Sequence, residues 1–210
     1  MRWFICVGIM LVSAAPGCAV VKPTRSGYLS DYSHVRTASD RVMSTTEANA
    51  AGAGALAGVD SFYVEDVRWL SARPAKVAKR PDLQEQVLSV LRESLREELG
   101  KVRPVVDAPG PRTARVRAAV TDARNADLLF NLLMTAIAIP LANGGATVEA
   151  EVIGPDGRQV AAVDYARAGG LFDVVGYYWP NDHAKIACRR AAAALREAVE
   201  AKAGKAARRT

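Results

Sequence analysis

The sequence predicts an α+β fold, with a mixed, largely antiparallel sheet of about five strands and two main helices packed on one face. Three observations lead to this class. Residues 147–166 hold two alternating runs around a turn, which is the pattern of a β-hairpin. Two long stretches, 81–100 and 182–203, repeat apolar residues at helical spacing. Further alternating runs flank the first helix, so the predicted order is β-α-β-β-(apolar helix)-β-β-α.

The first predicted unit is a strand, a helix and a second strand. Residues 61–70 alternate, with Phe62 and Val64 inward, and a change of phase later in the run indicates a bulge. Residues 102–106 form the next short strand. If both strands share the sheet, the connection between them is a right-handed crossover.

Each predicted helix has its own boundary signals. Pro81 suits the first turn of the first helix, and Gly100 suits its end. Asn181 or Asp182 caps the second helix. The predicted buried stripe of the first comprises Leu83, Val87, Leu88, Leu91, Leu95 and Leu99. That of the second is rich in alanine, which allows close approach to a sheet, and comprises Ala184, Ala187, Cys188, Ala191, Ala194, Leu195, Ala198 and Val199.

Two charged pairs lie on the polar faces of predicted central strands. Glu149 and Glu151 are two residues apart, so both project from one face, and Arg115 and Arg117 show the same spacing. Paired carboxylates can act as acid and base in glycoside cleavage. The polar face of a one-sided sheet normally meets water, so the sequence favours a solvated charge ladder over catalysis.

No catalytic, metal-binding or cofactor-binding residues are predicted. A metal site needs clustered His, Cys, Asp or Glu, and the chain has only two histidines, which lie far apart in sequence. Of the three cysteines, Cys6 falls in the N-terminal signal and Cys188 faces a helix core, so no internal disulfide is expected.

Residues 128–142 form an apolar segment that only Asn131 and Thr135 interrupt. The segment is too short to span a membrane. One interpretation is a buried helix, and the other is an exposed surface that contacts the membrane or a partner protein. The residues of this candidate interaction surface are Leu128, Leu129, Phe130, Leu132, Leu133, Met134, Ile137 and Ile139.

The N-terminus has the order of a secretory signal. Arg2 supplies the positive charge, residues 3–12 are mostly apolar, and residues 13–17 are small and turn-prone. Cys18 follows directly, an arrangement that resembles the lipobox of bacterial lipoproteins, in which the signal is removed and the cysteine is acylated. The small residues also fit ordinary signal cleavage, which would give a soluble periplasmic protein, and an uncleaved anchor is the third alternative.

These signals divide the chain into four parts. They are a signal peptide (1–17), a lipid-anchored tether (18–59), an α+β domain (60–203) and a basic tail (204–210). Within the tether, two tyrosines and a leucine at residues 26–33 predict a patch that docks on the domain, whereas the Ala, Ser, Thr and Gly that follow predict a linker.

The charge distribution excludes a nucleic-acid partner. Without Arg2 and the C-terminal bases, the body holds 23 basic and 22 acidic residues, so it is nearly neutral. A nucleic-acid-binding protein concentrates bases on a folded face together with stacking aromatic side chains.

Several stretches resemble the bacterial lipoproteins of domain-of-unknown-function family 3313. They are residues 26–32 (SGYLSDY) soon after the cysteine, together with 62–69 (FYVEDVRW), 115–122 (RVRAAVTD) and 146–152 (ATVEAEV). The resemblance implies a lipoprotein and a domain that spans most of the chain. It implies no activity and no catalytic residue. Ala19 after the cysteine implies the outer rather than the inner membrane.

The sequence therefore predicts a non-enzymatic binding module, held by lipid on Cys18 at the periplasmic face of the outer membrane. Its candidate partners are the membrane itself, an envelope protein or peptidoglycan. Two alternatives stay open. One is an auxiliary lipoprotein subunit of an envelope transport or assembly system that uses residues 128–142, and the other is a glycan-acting hydrolase that uses Glu149 and Glu151.

Overall fold

The computed structural model describes residues 23, 25–41, 44–50, 52, 54–71, 81–124, 145–168 and 182–201. Within them lie eight strands and two helices. The strands are β1 (Arg36–Arg41), β2 (Ser44–Asn49), β3 (Ser61–Val64), β4 (Arg68–Trp69), β5 (Val105–Val106), β6 (Thr113–Arg124), β7 (Gly145–Ile153) and β8 (Gln159–Ala168). The helices are α1 (Pro81–Gly100) and α2 (Asp182–Glu200).

The eight strands form one mixed sheet in the order β1-β2-β8-β7-β6-β3-β5, and β4 also pairs with β6. The pairs from β1 to β6 along this order are antiparallel, whereas β3 and β4 run parallel to β6 and β5 runs parallel to β3. The predicted α+β class with a mixed, largely antiparallel sheet is confirmed. Because β3 and β5 share the sheet, α1 is the crossover connection between two parallel neighbours.

The strand count exceeds the prediction of about five, and two of the extra strands come from residues assigned to the tether. β1 and β2 form a hairpin, and β2 pairs with β8 at six positions from Ser44↔Arg167 to Asn49↔Ala162. Their sequences, RTASDR and STTEAN, contain no large apolar side chain. Such strands bury little apolar surface, so the alternation that reveals a core strand is missing.

The predicted strand 61–70 is two short strands. β3 pairs with the start of β6 through Ser61↔Thr113, and β4 pairs with its middle through Arg68↔Ala119. The break at residues 65–67 accounts for the change of phase in the sequence and still buries Val67. The strand predicted at 102–106 shortens to β5, because residues 101–103 close the end of α1. The Lys101 amide donates to the Glu98 carbonyl, and the Val102 and Arg103 amides donate to the Leu99 carbonyl.

The apolar core lies between the sheet and the two helices. The predicted stripe of α1 is confirmed at Val87, Leu88, Leu91, Leu95 and Leu99, all of which are buried. They pack with the inward side chains of the central strands, such as Val116, Val148 and Val152. The alanine-rich stripe of α2 is buried in the same core at Ala184, Ala187, Cys188, Ala191, Leu195, Ala198 and Val199, and Ala194 is partly buried beside it. The helices therefore cover one face of the sheet.

The hairpin turn between β7 and β8 has the geometry that its sequence requires. The amide of Gly157 donates to the Gly154 carbonyl at 2.9 Å, and Gly157 has a φ of 80°, in the left-handed region that favours glycine. This turn and a register shift between Val152 and Ile153 together determine which residues of β7 and β8 face each other. In the described part of the chain, neither helix has the length and apolar character of a membrane span.

Candidate functional site

The sheet face opposite the helices carries a cluster of acidic side chains, and we call it the acidic face. Glu149 and Glu151 lie on β7, Asp164 on β8 and Glu47 on β2. Register places Glu149 directly opposite Asp164, and Asp164 directly opposite Glu47. Adjacent strands are about 4.8 Å apart, so three carboxylates form a continuous row across three strands.

The acidic face is buried, which corrects the predicted solvated ladder. Glu149, Glu151 and Asp164 each have 0% exposure. The cover is residues 25–35, which we call the N-terminal segment. Its Leu29 and Val35 are buried against Ala162 of β8, and Tyr28 and Tyr32 pack beside them. The chain therefore supplies its own second layer on this side of the sheet.

Glu151 is held by donors from three directions. The Ser30 amide and hydroxyl of the N-terminal segment donate to its Oε2 at 2.9 and 2.7 Å. The side-chain amide of Gln159 donates to the same oxygen at 2.8 Å. Arg117, its register partner on β6, donates to Oε1 at 3.0 Å. The predicted pairing across the sheet is thus correct for Arg117, whereas Arg115 pairs with Glu65.

Arg117 also connects the sheet to the N-terminal segment. Its guanidinium carbon lies 4.9 Å from the centre of the Tyr28 ring, within the range of a cation–π contact. The Tyr28 hydroxyl donates to the Ala118 carbonyl at 3.1 Å. One arginine therefore neutralises a buried carboxylate and supports the aromatic ring that covers it.

Glu149 accepts two hydrogen bonds from the N-terminal segment. The Ser26 amide donates to Oε1 at 2.6 Å, and the Tyr32 hydroxyl donates to Oε2. Burial and the hydrogen bond to Glu149 raise the pKa of the Tyr32 phenol, so it remains a proton donor at neutral pH. The same hydroxyl oxygen accepts bonds from the Gly27 and Leu29 amides at 2.9 and 3.2 Å. Tyr32 therefore organises the bend of the segment as well as its contact with the sheet.

Asp164 accepts fewer hydrogen bonds than the two glutamates. Its Oδ2 accepts one bond, from the Arg25 amide at 3.1 Å, and its Oδ1 is buried without a hydrogen-bond partner in the part of the chain that the structure describes. Burial, together with the neighbouring charges of Glu149 and Glu47, raises the pKa of Asp164 to about 7, against the opposing effect of Arg25. The Arg25 guanidinium itself pairs with Glu47 at 2.8 Å.

An open groove lies elsewhere. It has a volume of about 450 Å³ and lies between β1, β2 and the C-terminal half of α2, on the helix side of the sheet. Its lining is mostly Ala, Ser and Thr, with Arg190 and Glu197 on the helix. Within the described residues no group of three His, Cys, Asp or Glu side chains is arranged to hold a metal ion. The groove lacks the converging polar groups of the acidic face, so we take the acidic face as the candidate site.

The structure brings together only some of the residues singled out in the sequence. Glu149, Glu151 and Arg117 meet, and the patch at residues 26–33 covers them. Glu47, Gln159 and Asp164 were not predicted to take part. Counting outward from the 154–157 turn does not identify Asp164, because a register shift between Val152 and Ile153 is what sets it opposite Glu149. Cys18 and the apolar surface lie outside the described residues, the latter comprising Leu128, Leu129, Phe130, Leu132, Leu133, Met134, Ile137 and Ile139.

Chemically, the acidic face binds a bent peptide segment. It offers carboxylate oxygens to the backbone amides and hydroxyls of residues 25–32, and the ligand is part of the same chain. These features define a class of protein, an α+β domain with helices on one face of a mixed sheet and its own N-terminal segment bound to the other. The chain belongs to the family described as protein of unknown function DUF3313, whose model matches residues 24–195.

Comparisons with other proteins give distant matches. The chain is similar to the PelC dodecamer from Paraburkholderia phytofirmans, with 16% identity and a TM-score of 0.47 over 74% of this chain and 96% of that chain. A single-substitution variant of the same dodecamer gives 18% identity and a TM-score of 0.46 at the same coverage. No functionally curated protein matches the chain.

Tyr32→Phe should loosen the N-terminal segment without unfolding the domain. The change removes the hydroxyl bond to buried Glu149 and the acceptor for two amides, at an expected cost of about 2 kcal/mol in docking free energy. Amide hydrogen exchange is the measurement. Exchange should become faster in residues 25–35, because the segment is loosened, and should stay unchanged in α1, because the domain remains folded. Tyr63→Phe is the matched control, since Tyr63 lies on β3 beyond the segment. Equal protection of the segment in both variants would contradict the assigned role of Tyr32.

Proposed function

We propose that the protein is a non-enzymatic binding or interaction module of the bacterial cell envelope, anchored by lipid on Cys18 to the periplasmic face of the outer membrane. The observation that carries the proposal is the position of the N-terminal segment. The residues that follow the lipobox cysteine are bound to the domain from Arg25 onward. The signal-like N-terminus and the resemblance to lipoproteins support the anchor.

The enclosed carboxylates support a binding role over a glycan-acting enzyme. Glu149 and Glu151 are both fully buried, and all four of their oxygens accept hydrogen bonds from the protein. A glycosidase needs its two carboxyl groups on either side of a bound sugar, with one of them protonated as the acid. Here the space between the carboxylates and the solvent is filled by the chain itself.

The bound segment also limits how far the domain can lie from the membrane. Residues 18–24 separate the proposed lipid from the first residue on the acidic face, and seven extended residues span at most about 25 Å. That distance favours an orientation with the acidic face toward the bilayer, because the helices lie on the far side of the sheet. The anchor is thus a short connection rather than the long tether that the sequence predicts.

Cys18→Ala should release the protein from membranes. Loss of the acylated cysteine removes the only proposed anchor, and stable attachment through lipid needs more than one acyl chain. The measurement is the share of protein in the membrane pellet after a high-salt wash, together with incorporation of labelled fatty acid. Cys6→Ala is the matched control, because Cys6 lies in the segment that processing would remove. Persistence of the Cys18→Ala protein in the washed pellet would refute the anchor.

A further inference from the structure

We propose that the N-terminal segment is a proton-sensitive latch, held on the acidic face while Asp164 is protonated and released when Asp164 ionises. The proposal deepens the proposed function, since the latch would set the distance between the lipid on Cys18 and the domain. Its basis is the geometry of the acidic face and does not depend on the lipid.

The row of carboxylates contains more negative charge than the segment neutralises. Glu47, Asp164 and Glu149 face one another on β2, β8 and β7, and like charges directly opposite each other destabilise a sheet. In the described part of the chain one guanidinium approaches the row, that of Arg25, and it is half exposed and bonded to Glu47 rather than to Asp164. An ionised Asp164 is therefore a buried charge with a single amide donor.

Among the described residues, the charged and titratable groups that face Asp164 belong to three elements. Glu149 projects from β7 and Glu47 from β2, and both disfavour the ionised form. Arg25 of the N-terminal segment favours it, through its amide and its charge. Tyr32, from the same segment, lies against Glu149 and remains protonated. The effects that disfavour ionisation outweigh that of Arg25, so Asp164 keeps its proton up to neutral pH.

Release of the segment would end the burial of Asp164, although Glu47 and Glu149 stay beside it in the sheet. The amides of Arg25 and Ser26 and the hydroxyl of Tyr32 leave together, and water then reaches Asp164, so its pKa falls toward the ordinary value near 4. The docked state thus binds one more proton than the released state between the pKa of the released state and the docked pKa of about 7. Docking is strongest at the acid end of this range, weakens about tenfold per pH unit as pH rises through it, and is constant above it.

The latch changes the reach of the domain. With the segment docked, residues 18–24 are the connection to the proposed lipid, which allows at most about 25 Å. With the segment released up to β1, residues 18–35 form the connection and allow about 60 Å. Release also uncovers the face that binds the segment, so the same event frees the domain and exposes the acidic face.

Amide hydrogen exchange in solution tests the latch without any lipid. The unlipidated chain of residues 18–210 is compared with its Asp164→Asn variant at pH 5 and pH 8, and protection in residues 25–35 is corrected for intrinsic exchange. The opening equilibrium of the unsubstituted chain should rise about 100-fold between pH 5 and pH 8. Asp164→Asn, which carries no titrating proton, should show no such rise. Asp66→Asn is the matched control, because Asp66 is fully exposed, and it should behave like the unsubstituted chain.

Two results would overturn the latch. One is an equal pH dependence in the Asp164→Asn and unsubstituted chains, and the other is protection of the segment that does not change with pH. Glu47→Gln provides a second test should the Asn variant not fold. It removes one charge that raises the pKa of Asp164, so the midpoint of release should move to lower pH; an unmoved midpoint counts against the latch. Membrane attachment enters none of these measurements, so a failed anchor and a failed latch are distinguishable.

Discussion

Arg117→Met should lower the free energy of unfolding by about 3 kcal/mol, because it leaves the fully buried Glu151 carboxylate without its counter-charge. Methionine keeps the apolar length of the side chain, so little packing is lost. The three remaining donors from Ser30 and Gln159 keep the expected cost at the lower end of the range for a broken buried pair. Urea unfolding followed by circular dichroism measures the change.

Arg115→Met is the matched control for this prediction. Arg115 lies two residues away on the same face of β6, but it is half exposed and pairs with Glu65 at 3.3 Å, a surface contact that typically contributes about 0–1 kcal/mol. Adding Glu151→Gln to Arg117→Met removes the orphaned charge and should recover much of the loss. If Arg115→Met and Arg117→Met lower the free energy of unfolding equally, burial of an ion pair does not determine its contribution to stability.

The helix side of this fold was predictable because its signals are local. Spacing of three and four residues identifies the buried stripe of α1, from Val87 to Leu99, without knowledge of the partner strands. The β7–β8 hairpin was predictable for the same reason, since its turn and both alternating runs lie within residues 145–168. Alternation also places Glu149 and Glu151 correctly on one face of β7 and Val148 and Val152 on the other.

The environment of the acidic face was not predictable from the same pattern. Alternation shows that two faces of a strand differ, but it does not reveal what covers the polar one. The cover comes from Ser26 and Ser30, more than 100 residues before the glutamates that they contact. The apolar contacts that hold it are few, namely Leu29 and Val35 against Ala162. A small docked patch was predicted there, but not that buried carboxylates would be its binding partners.

β1 and β2 were not predicted, for a different reason. Strand propensity rests on β-branched and aromatic side chains that pack on a half-buried surface, and these two strands are the outermost pair at one end of the sheet. Ser, Thr and Ala suit an edge that buries little and also suit a flexible linker, so composition alone does not separate the two. Their pairing with β8 is what places Glu47 beside Asp164 and completes the acidic row.

Leu91→Ala should lower the free energy of unfolding by about 3 kcal/mol, through a cavity in the core between α1 and the sheet. Leu91 is fully buried in α1, whereas Leu70→Ala makes the same chemical change at a side chain that is 43% exposed and should have little effect. Leu91 lies on the helix side of the sheet, so docking of residues 25–35 within the folded state should be unchanged.

Arg117→Met, in contrast, should weaken both global stability and docking, because Arg117 contacts Tyr28 as well as Glu151. Urea unfolding measures global stability, and amide exchange in residues 25–35 measures docking. Together, for both variants, they distinguish an effect on the helix side of the sheet from an effect on the acidic face. Loss of segment protection in Leu91→Ala equal to that in Arg117→Met would mean that the segment and the core open as one unit.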